Sequence, residues 1–272
     1  MNIDSEHEAG KQREVMCRVL ADNVVRQLIE AGFPPGQLID FASEVVRSVT
    51  EQGVGVNGRA TAGHTDGEVR ASPIEWLVEP ADGRAPRIRG AKVSLRPLAD
   101  DDGPLLARWL KDEEIQRTFS RALLTDLIGR LSEVPADPRR QDFVVCDPPG
   151  RGIGLVCLLN IDHATGQAEM AKLLGDPADR GKGYAKAASC LLLAYAVDVL
   201  KLRRIYLRAA GFSLHNIKLN EKLGFRFEGI LRHSEVLNDR PVHVVLMSML
   251  AEEFLQRYRL QPLAGAEPGK GM

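Results

Sequence analysis

The chain has 272 residues, with 36 basic side chains against 37 acidic ones and a formal net charge of -1. That balance excludes a broadly basic nucleic-acid coat or a polybasic membrane anchor, although local charged patches remain open. Hydrophobic residues make up 44% and aromatics only 5%, so the core is expected to be built from Leu, Val, Ile and Ala rather than from stacked rings, and the length favours two domains over one.

The N-terminal stretch MNIDSEHEAGKQREV carries acids where an export signal would be basic and apolar, and no run approaches the ~20 apolar residues that span a bilayer. The expectation is a cytoplasmic protein with neither membrane nor nucleic-acid partner. Residues 1–52 then hold two helical patterns, VMCRVLADNVVRQLIEAGF and QLIDFASEVVRSVTEQG. Leu20, Val24 and Leu28 form one apolar stripe, and Leu38, Phe41, Val45 and Val49 the other. Pro34, Pro35 and Gly36 break the pattern, so a helical hairpin is expected. Such a pair can pack on the rest of the chain, form a homodimer surface or dock a partner. Residues 53–90 turn rich in Gly, Ala, Thr, Asp, Pro and Arg and read as a linker or irregular arm, with SPIEWLVEP as a short ordered island.

After residue 90 the texture changes. Val93 to Arg96 reads as a strand, and DDGPLLARWLKDEEIQRTF as a helix opened by acids, with Leu105, Leu106, Trp109 and Leu110 on one side. QDFVVC, GIGLVCLLNID and GQAEMAKLLG, separated by turn-rich DPPGR and HATG, suggest an antiparallel meander. DPADRGKGYAKAASCLLLAYAVDVL then reads as a loop leading into a long helix. RRIYLRA follows as a strand, NIKLNEKLGF as a helix, and FRFEGILRHSEVL with PVHVVLMSML as a final strand pair. The fold class is therefore α/β: a mixed, mostly antiparallel sheet flanked by helices, with an extra N-terminal helical segment.

Two groups invite a metal reading and do not support one. Cys17, Cys146, Cys157 and Cys190 lack the paired spacing of a thiolate knuckle and suit buried free thiols. His64 sits in a polar loop, and His215, His233 and His243 have no ligand spacing with one another or with an acid; His233 and Glu235 are at most candidates for an acceptor pocket near the last hairpin. No metal is expected.

The most informative segment is Arg180-Gly181-Lys182-Gly183-Tyr184-Ala185. Two glycines stand between a strand and a helix start, where small residues let the backbone approach a ligand and successive N–H groups can cradle phosphate oxygens. Arg180 and Lys182 would add positive charge. No Ser or Thr follows the lysine, so this is not a magnesium-nucleotide loop, and the three-glycine dinucleotide pattern is missing.

This hexapeptide resembles the Arg/Gln-x-x-Gly-x-Gly/Ala loop of the GCN5-related N-acetyltransferases (GNAT). The resemblance extends over about residues 91–250, through AEMAKLLGDPADRGKGYAKAA, YLRAA, NEKLGF, EGILRH and HVVLMSML, and is strongest to the branch acting on ribosomal-protein N-termini, amino sugars and polyamines. It implies a GNAT-like acyl-CoA transferase domain over 91–256, followed by a flexible tail at 257–272. It also implies acetyl-CoA, or another acyl-CoA, in a cleft where two parallel strands splay, with its pyrophosphate on Arg180 through Ala185. Glu169 matches a strand glutamate near the acceptor amine, able to take an ammonium proton directly or through water, or else to orient the substrate. Backbone N–H groups around Leu173 and Leu174 are placed to polarise the thioester carbonyl.

One departure stands out at SLHNIKLNEKLGF. Relatives commonly carry Asn-x-x-Ala/Ser-x-x-x-Tyr-Glu-Lys, whose tyrosine can protonate the departing thiolate. The matching positions here are Ser213, Asn216 and Asn220, with Asn216 expected at the cofactor. An asparagine cannot act as that acid, which leaves water, Ser213 or another group. The expected activity is acyl transfer to the primary amine of a small metabolite such as an amino sugar or antibiotic-like amine. N-terminal acetylation of a protein and a non-catalytic CoA-binding module are the alternatives.

Overall fold

The computed structural model describes residues 71–80, 85–118, 137–210, 214–237 and 240–263, together with scattered positions between 25 and 43. The chain divides into two units, Met1–Val69 and Arg70–Met272. In the first, Val25, Leu28, Ile29, residues 36–40 and residues 42–43 are helical, and the Ser43 hydroxyl donates to the Ile39 carbonyl at 2.8 Å. The remainder of the expected hairpin, Cys17, His64, Ser213 and residues 264–272 lie outside the described residues.

The second unit is built on one ten-stranded sheet: β1 (Ser72–Glu79), β2 (Arg87–Gly90), β3 (Ser94–Pro97), β4 (Gln141–Cys146), β5 (Gly152–Asp162), β6 (Gln167–Leu174), β7 (Arg204–Ala210), β8 (Arg226–Leu237), β9 (Arg240–Leu250) and β10 (Tyr258–Pro262). Its spatial order is β10-β1-β2-β3-β4-β5-β6-β7-β9-β8. The β4-β5-β6 meander is antiparallel as expected, and among the described residues β1/β10 and β6/β7 are the parallel pairs. Among the described residues five helices accompany it: α1 (Gly103–Trp109), α2 (Glu113–Thr118), α3 (Tyr184–Ala194), α4 (Leu214–Leu223) and α5 (Ala251–Arg257).

Three boundaries differ from the sequence reading. The ordered island expected at SPIEWLVE is a sheet strand, and Arg87–Gly90, expected in the linker, is another. Tyr258–Pro262, expected in a flexible tail, is the parallel partner of β1. The single helix expected from DDGPLLARWLKDEEIQRTF is two, because Asp112 stops the first and caps the second: its carboxylate accepts from the Ile115 N–H at 3.0 Å, satisfying a donor that the helix itself cannot. Asp102, at the N-cap of α1, makes no such bond to its helix. Asp102 is buried, receives two hydrogen bonds from the Arg96 guanidinium at 2.7 and 2.6 Å and accepts from the Ala99 N–H.

Both faces of the sheet are covered, which is why GIGLVCLLNID is an almost unbroken apolar run rather than an alternating one. On one face Val156, Leu158, Met170, Ile205, Leu207 and Met247 pack with Leu191, Leu192 and Leu193 of α3. On the other, Leu155, Cys157, Leu159 and Leu173 pack with Leu106 and Trp109 of α1 and Ile115 of α2. Cys146, Cys157 and Cys190 are buried free thiols, as expected. α3 runs on through a π-helical turn, Tyr195–Val199, where the Leu200 N–H donates to the Tyr195 carbonyl. No described helix is long and apolar enough to cross a membrane.

Candidate active site

The site begins where β6 and β7 part. Their parallel ladder covers only Gln167↔Arg204, Ala168↔Ile205 and Glu169↔Tyr206. Beyond it each strand stays bonded to its outer neighbour: Met170 to Leu174 continue along β5, and Leu207 to Ala210 along β9. Two strands held from outside and released from each other enclose a wedge, with the inner backbone edge of β6 from Met170 to Leu174 facing it. Leu173 and Leu174 lie on this edge.

At the foot of the wedge β6 runs through Gly175 into a 3-10 turn, Pro177–Asp179, and then into Arg180–Gly183. Asp176 caps the turn through the Ala178 N–H at 2.8 Å. Gly181 and Gly183 have φ of +76 and +78, a left-handed conformation costing other residues ~1–2 kcal/mol. Gly183 is the N-cap of α3 and supplies no side-chain cap, and the first intrahelical bond in this turn is Ala187 N–H to the Gly183 carbonyl. The N–H groups of the first helical residues, including Tyr184 and Ala185, thus have no intrahelical acceptor. No atom lies within 4 Å of where a Gly181 side chain would begin. An uncapped helix start beneath an open, glycine-lined loop fits a pyrophosphate.

The loop's charges are more constrained than the sequence suggests. Asp179 is 1% exposed and receives the Arg151 guanidinium at 3.0 and 2.9 Å and the Lys182 ammonium at 3.3 Å. The hydrogen bonds from Arg151 and Lys182 draw the Asp179 carboxyl below its ordinary range, against the opposing effect of burial. Arg180 pairs with Asp112 at 3.0 Å. Both loop cations therefore also anchor the loop, and a third, unforeseen one approaches: Lys92 lies 3.3 Å from the Cβ position of Gly183 and over the Tyr184 ring. Gly175 is equally constrained, since its missing side chain leaves room for Trp109, whose buried indole Nε1–H has no partner among the described residues.

Glu169 is buried on the α1 face of β6, and both of its oxygens are engaged. Asn160, at φ +51 in the β5 bulge, donates to one at 3.2 Å, and Arg208 of β7 donates to the other at 3.0 Å. Arg208 also meets Glu235 of β8 at 3.5 Å. Burial raises the Glu235 carboxyl above its ordinary range, opposed by Arg208. Beside this row lies a cavity of about 320 Å³ lined by Arg139, Asn160, Asp162, Gln167, Arg204, Tyr206 and Leu246. His233 and His243 stack at 4.7 Å between ring centroids, and no cluster of three or more His, Cys, Asp or Glu side chains able to hold a metal occurs among the described residues.

On the opposite face stands a residue that sequence reasoning missed. In β6, Ala168, Met170 and Lys172 share one side, and the first two belong to the core under α3. The Lys172 ammonium crosses to Asn220 of α4 and donates to its side-chain carbonyl. Asn220 is 3% exposed. Burial pulls Lys172 down to about 8. One lysine on an otherwise apolar strand face is a visible signal in AEMAKLLG, but its partner, distant in sequence, is not. Asn216 lies a turn earlier on α4.

A parallel strand pair thus splays above a glycine-hinged, uncapped helix start. Comparison with known proteins identifies the domain that carries this arrangement. Residues 92–226 match the family described as the acetyltransferase (GNAT) domain. The chain is 29% identical over 177 residues, 61% of its own length and 90% of the relative's, to spermidine N(1)-acetyltransferase of Escherichia coli K12, and 26% identical over 170 residues to an uncharacterised N-acetyltransferase, p20, of Bacillus licheniformis, covering 60% and 95% of the two chains. The structure of spermidine N-acetyltransferase from Vibrio cholerae in complex with CoA and spermine aligns with a TM-score of 0.52 at 28% identity, over 60% of this chain and 98% of that one. The chain belongs to the GNAT superfamily of acetyltransferases and carries its catalytic domain.

Proposed function

We propose that the protein transfers an acetyl group from acetyl-CoA to the primary amine of a small, polar metabolite such as an amino sugar. The observation that carries this reading is the wedge between β6 and β7, continuous with the uncapped start of α3. The likeness to a spermidine acetyltransferase bound to CoA and spermine supports it.

The N–H groups at Gly183 to Ala185 hold the diphosphate, with Arg180, Lys182 and Lys92 around it. Acetyl-CoA, when bound, supplies an acyl carbon activated as a thioester. N–H groups of the Leu173–Leu174 edge polarise its carbonyl, and Asn216 borders the cofactor from α4. On the other face Glu169 positions the amine and takes its proton through water, since Arg208 and Asn160 already occupy both carboxylate oxygens. The alternation of Glu235, Arg208, Glu169 and Asn160, with Arg139, Asp162 and Arg204 nearby, favours an acceptor with several hydroxyl or amide groups over a bare polyamine.

Thiol release from acetyl-CoA, followed with amino sugars, aminoglycosides, polyamines and short peptides with free N-termini, tests the proposal. Turnover of a hydroxylated amine is expected, and Glu169→Gln is expected to lower kcat about 10²-fold near neutral pH. Acetylation of peptides alone, or release with none of these acceptors, would overturn the reading.

A further inference from the structure

The position that resembles the family's tyrosine acid is Asn220, which has no proton to give. The structure places an ionisable group against it from the opposite wall. Lys172 leaves the wedge-facing stretch of β6 and donates through its ammonium to the Asn220 carbonyl oxygen, on the side of the sheet from which α4 approaches. No carboxylate pairs with Lys172 among the described residues, so the charge is held by one amide oxygen in an apolar setting.

We propose that Lys172, oriented by Asn220, is the proton donor to the sulfur that departs in the acyl transfer described above. The reading of the chain as an acetyl-CoA-dependent transferase is its premise. As the carbon–sulfur bond of the thioester breaks, its electron pair passes to sulfur. An Nζ–H bond of Lys172 breaks as the S–H bond forms, leaving a neutral amine that water reprotonates. The proton lost by the acceptor amine leaves by the opposite face, through the Glu169 side.

Three observations converge. Lys172 is on the one strand segment that has left β7 but not β5. Its ammonium donates to the very residue that stands where the acid is expected. Its burial brings it to about 8, close to an ordinary thiol at ~8.5, so that proton transfer between the two is nearly thermoneutral. The groups facing it are few: Asn220 from α4 is neutral, Val156 lies opposite on β5, and Cys190 of α3, itself under the influence of Tyr258, Lys186 and Arg257, is a thiol that burial raises and keeps protonated.

The first test needs no turnover. In protein labelled at lysine Cε, the resonance missing from Lys172→Met is titrated by NMR; its midpoint is expected at about 8, and CoA is expected to shift it while desulfo-CoA, which lacks the sulfur, is not. A midpoint near 10, or equal shifts with both ligands, overturns the proposal. The second test is kinetic. Wild type loses kcat as pH rises through the Lys172 midpoint, whereas Lys172→Met is slower by about 100-fold at neutral pH, lacks that descending limb and binds acetyl-CoA with a KM within about twofold of wild type. Lys172→Arg keeps the charge but cannot release a proton in this range, so it is expected to be as slow as Lys172→Met. Full activity in the arginine variant overturns proton donation in favour of simple charge. If wild type acetylates no amine, the functional reading fails, while the desulfo-CoA comparison still reports whether Lys172 meets the sulfur.

Discussion

Gly175 joins the wedge to the phosphate loop, and replacing it with alanine probes that junction. The new Cβ would lie 1.9 Å from Trp109 Nε1 and 2.1 Å from its Cδ1 and Cε2, against the 3.5–4 Å of ordinary contact, roughly. The indole is 2% exposed and packed among Leu106, Ile115, Leu155 and Leu173, so a displacement of about 1.5–2 Å forces its neighbours or the Gly175 backbone to move, and overpacking of this kind costs about 1–3 kcal/mol. A loss of about 3 kcal/mol in urea unfolding is expected, with CoA binding weakened about tenfold by calorimetry, since a tenfold change corresponds to ~1.4 kcal/mol. Trp109→Leu in the same chain should recover much of the stability, giving a coupling of more than about 1 kcal/mol between the two sites. A Gly175→Ala protein within about 0.5 kcal/mol of wild type, or additive effects in the double variant, would refute the packing argument.

Gly181→Val with Gly183→Val should abolish CoA binding by calorimetry. The cause at Gly181 is its left-handed backbone rather than crowding, since the space around it is empty, so a d-amino acid introduced there by synthesis should be tolerated where l-valine is not. Arg151→Ala leaves Asp179 with less support and should lower the melting temperature at pH 7. Because the folded state holds the Asp179 carboxyl below its usual 3.8, this contribution is present above that value and lost on acidification, so variant and wild type should converge in thermal melts as pH falls below it. Lys172→Met should be more stable than wild type at neutral pH by up to about 3 kcal/mol, since each tenfold drop in the proton affinity of the buried amine corresponds to roughly 1.36 kcal/mol. Folded Lys172 sheds its proton at about 8 whereas the unfolded residue does so near 10.5; wild-type stability therefore climbs between those values and the gap closes, and a gap that widens with pH contradicts the assigned burial.

How far the sequence can be read depends on the range of the interactions concerned. The β4-β5-β6 meander, the β8-β9 pair and the glycine loop before α3 follow from local patterns: alternation, turn residues and a helix start within a few positions. Glu169 is legible because its strand neighbours form a recognisable run, but its engagement by Asn160 and Arg208 is not, since a bulge and a neighbouring strand bring those residues together. Arg180 and Lys182 look in the sequence like cations free for a ligand; their pairing with Asp112 and Asp179 depends on where α2 begins and on the tight turn before the loop. Lys172 and Asn220, and Gly175 and Trp109, are invisible as pairs for the same reason.

The parallel pairing of β10 with β1 has a consequence for how the domain comes into being. Ser72 aligns with Tyr258 and Trp76 with Pro262, so one edge of an early strand is completed by a strand that follows all the others in sequence. During synthesis that edge of β1 stays open until Tyr258–Pro262 has left the ribosome, and an open strand edge is a template for pairing with other chains. A contact closed over such a separation is also slow to find. Emergence of β10, rather than completion of the β6–β7 wedge, is thus the step that seals this edge of the sheet, and a protein cut just before β10 would carry the wedge on a sheet prone to stick to its neighbours.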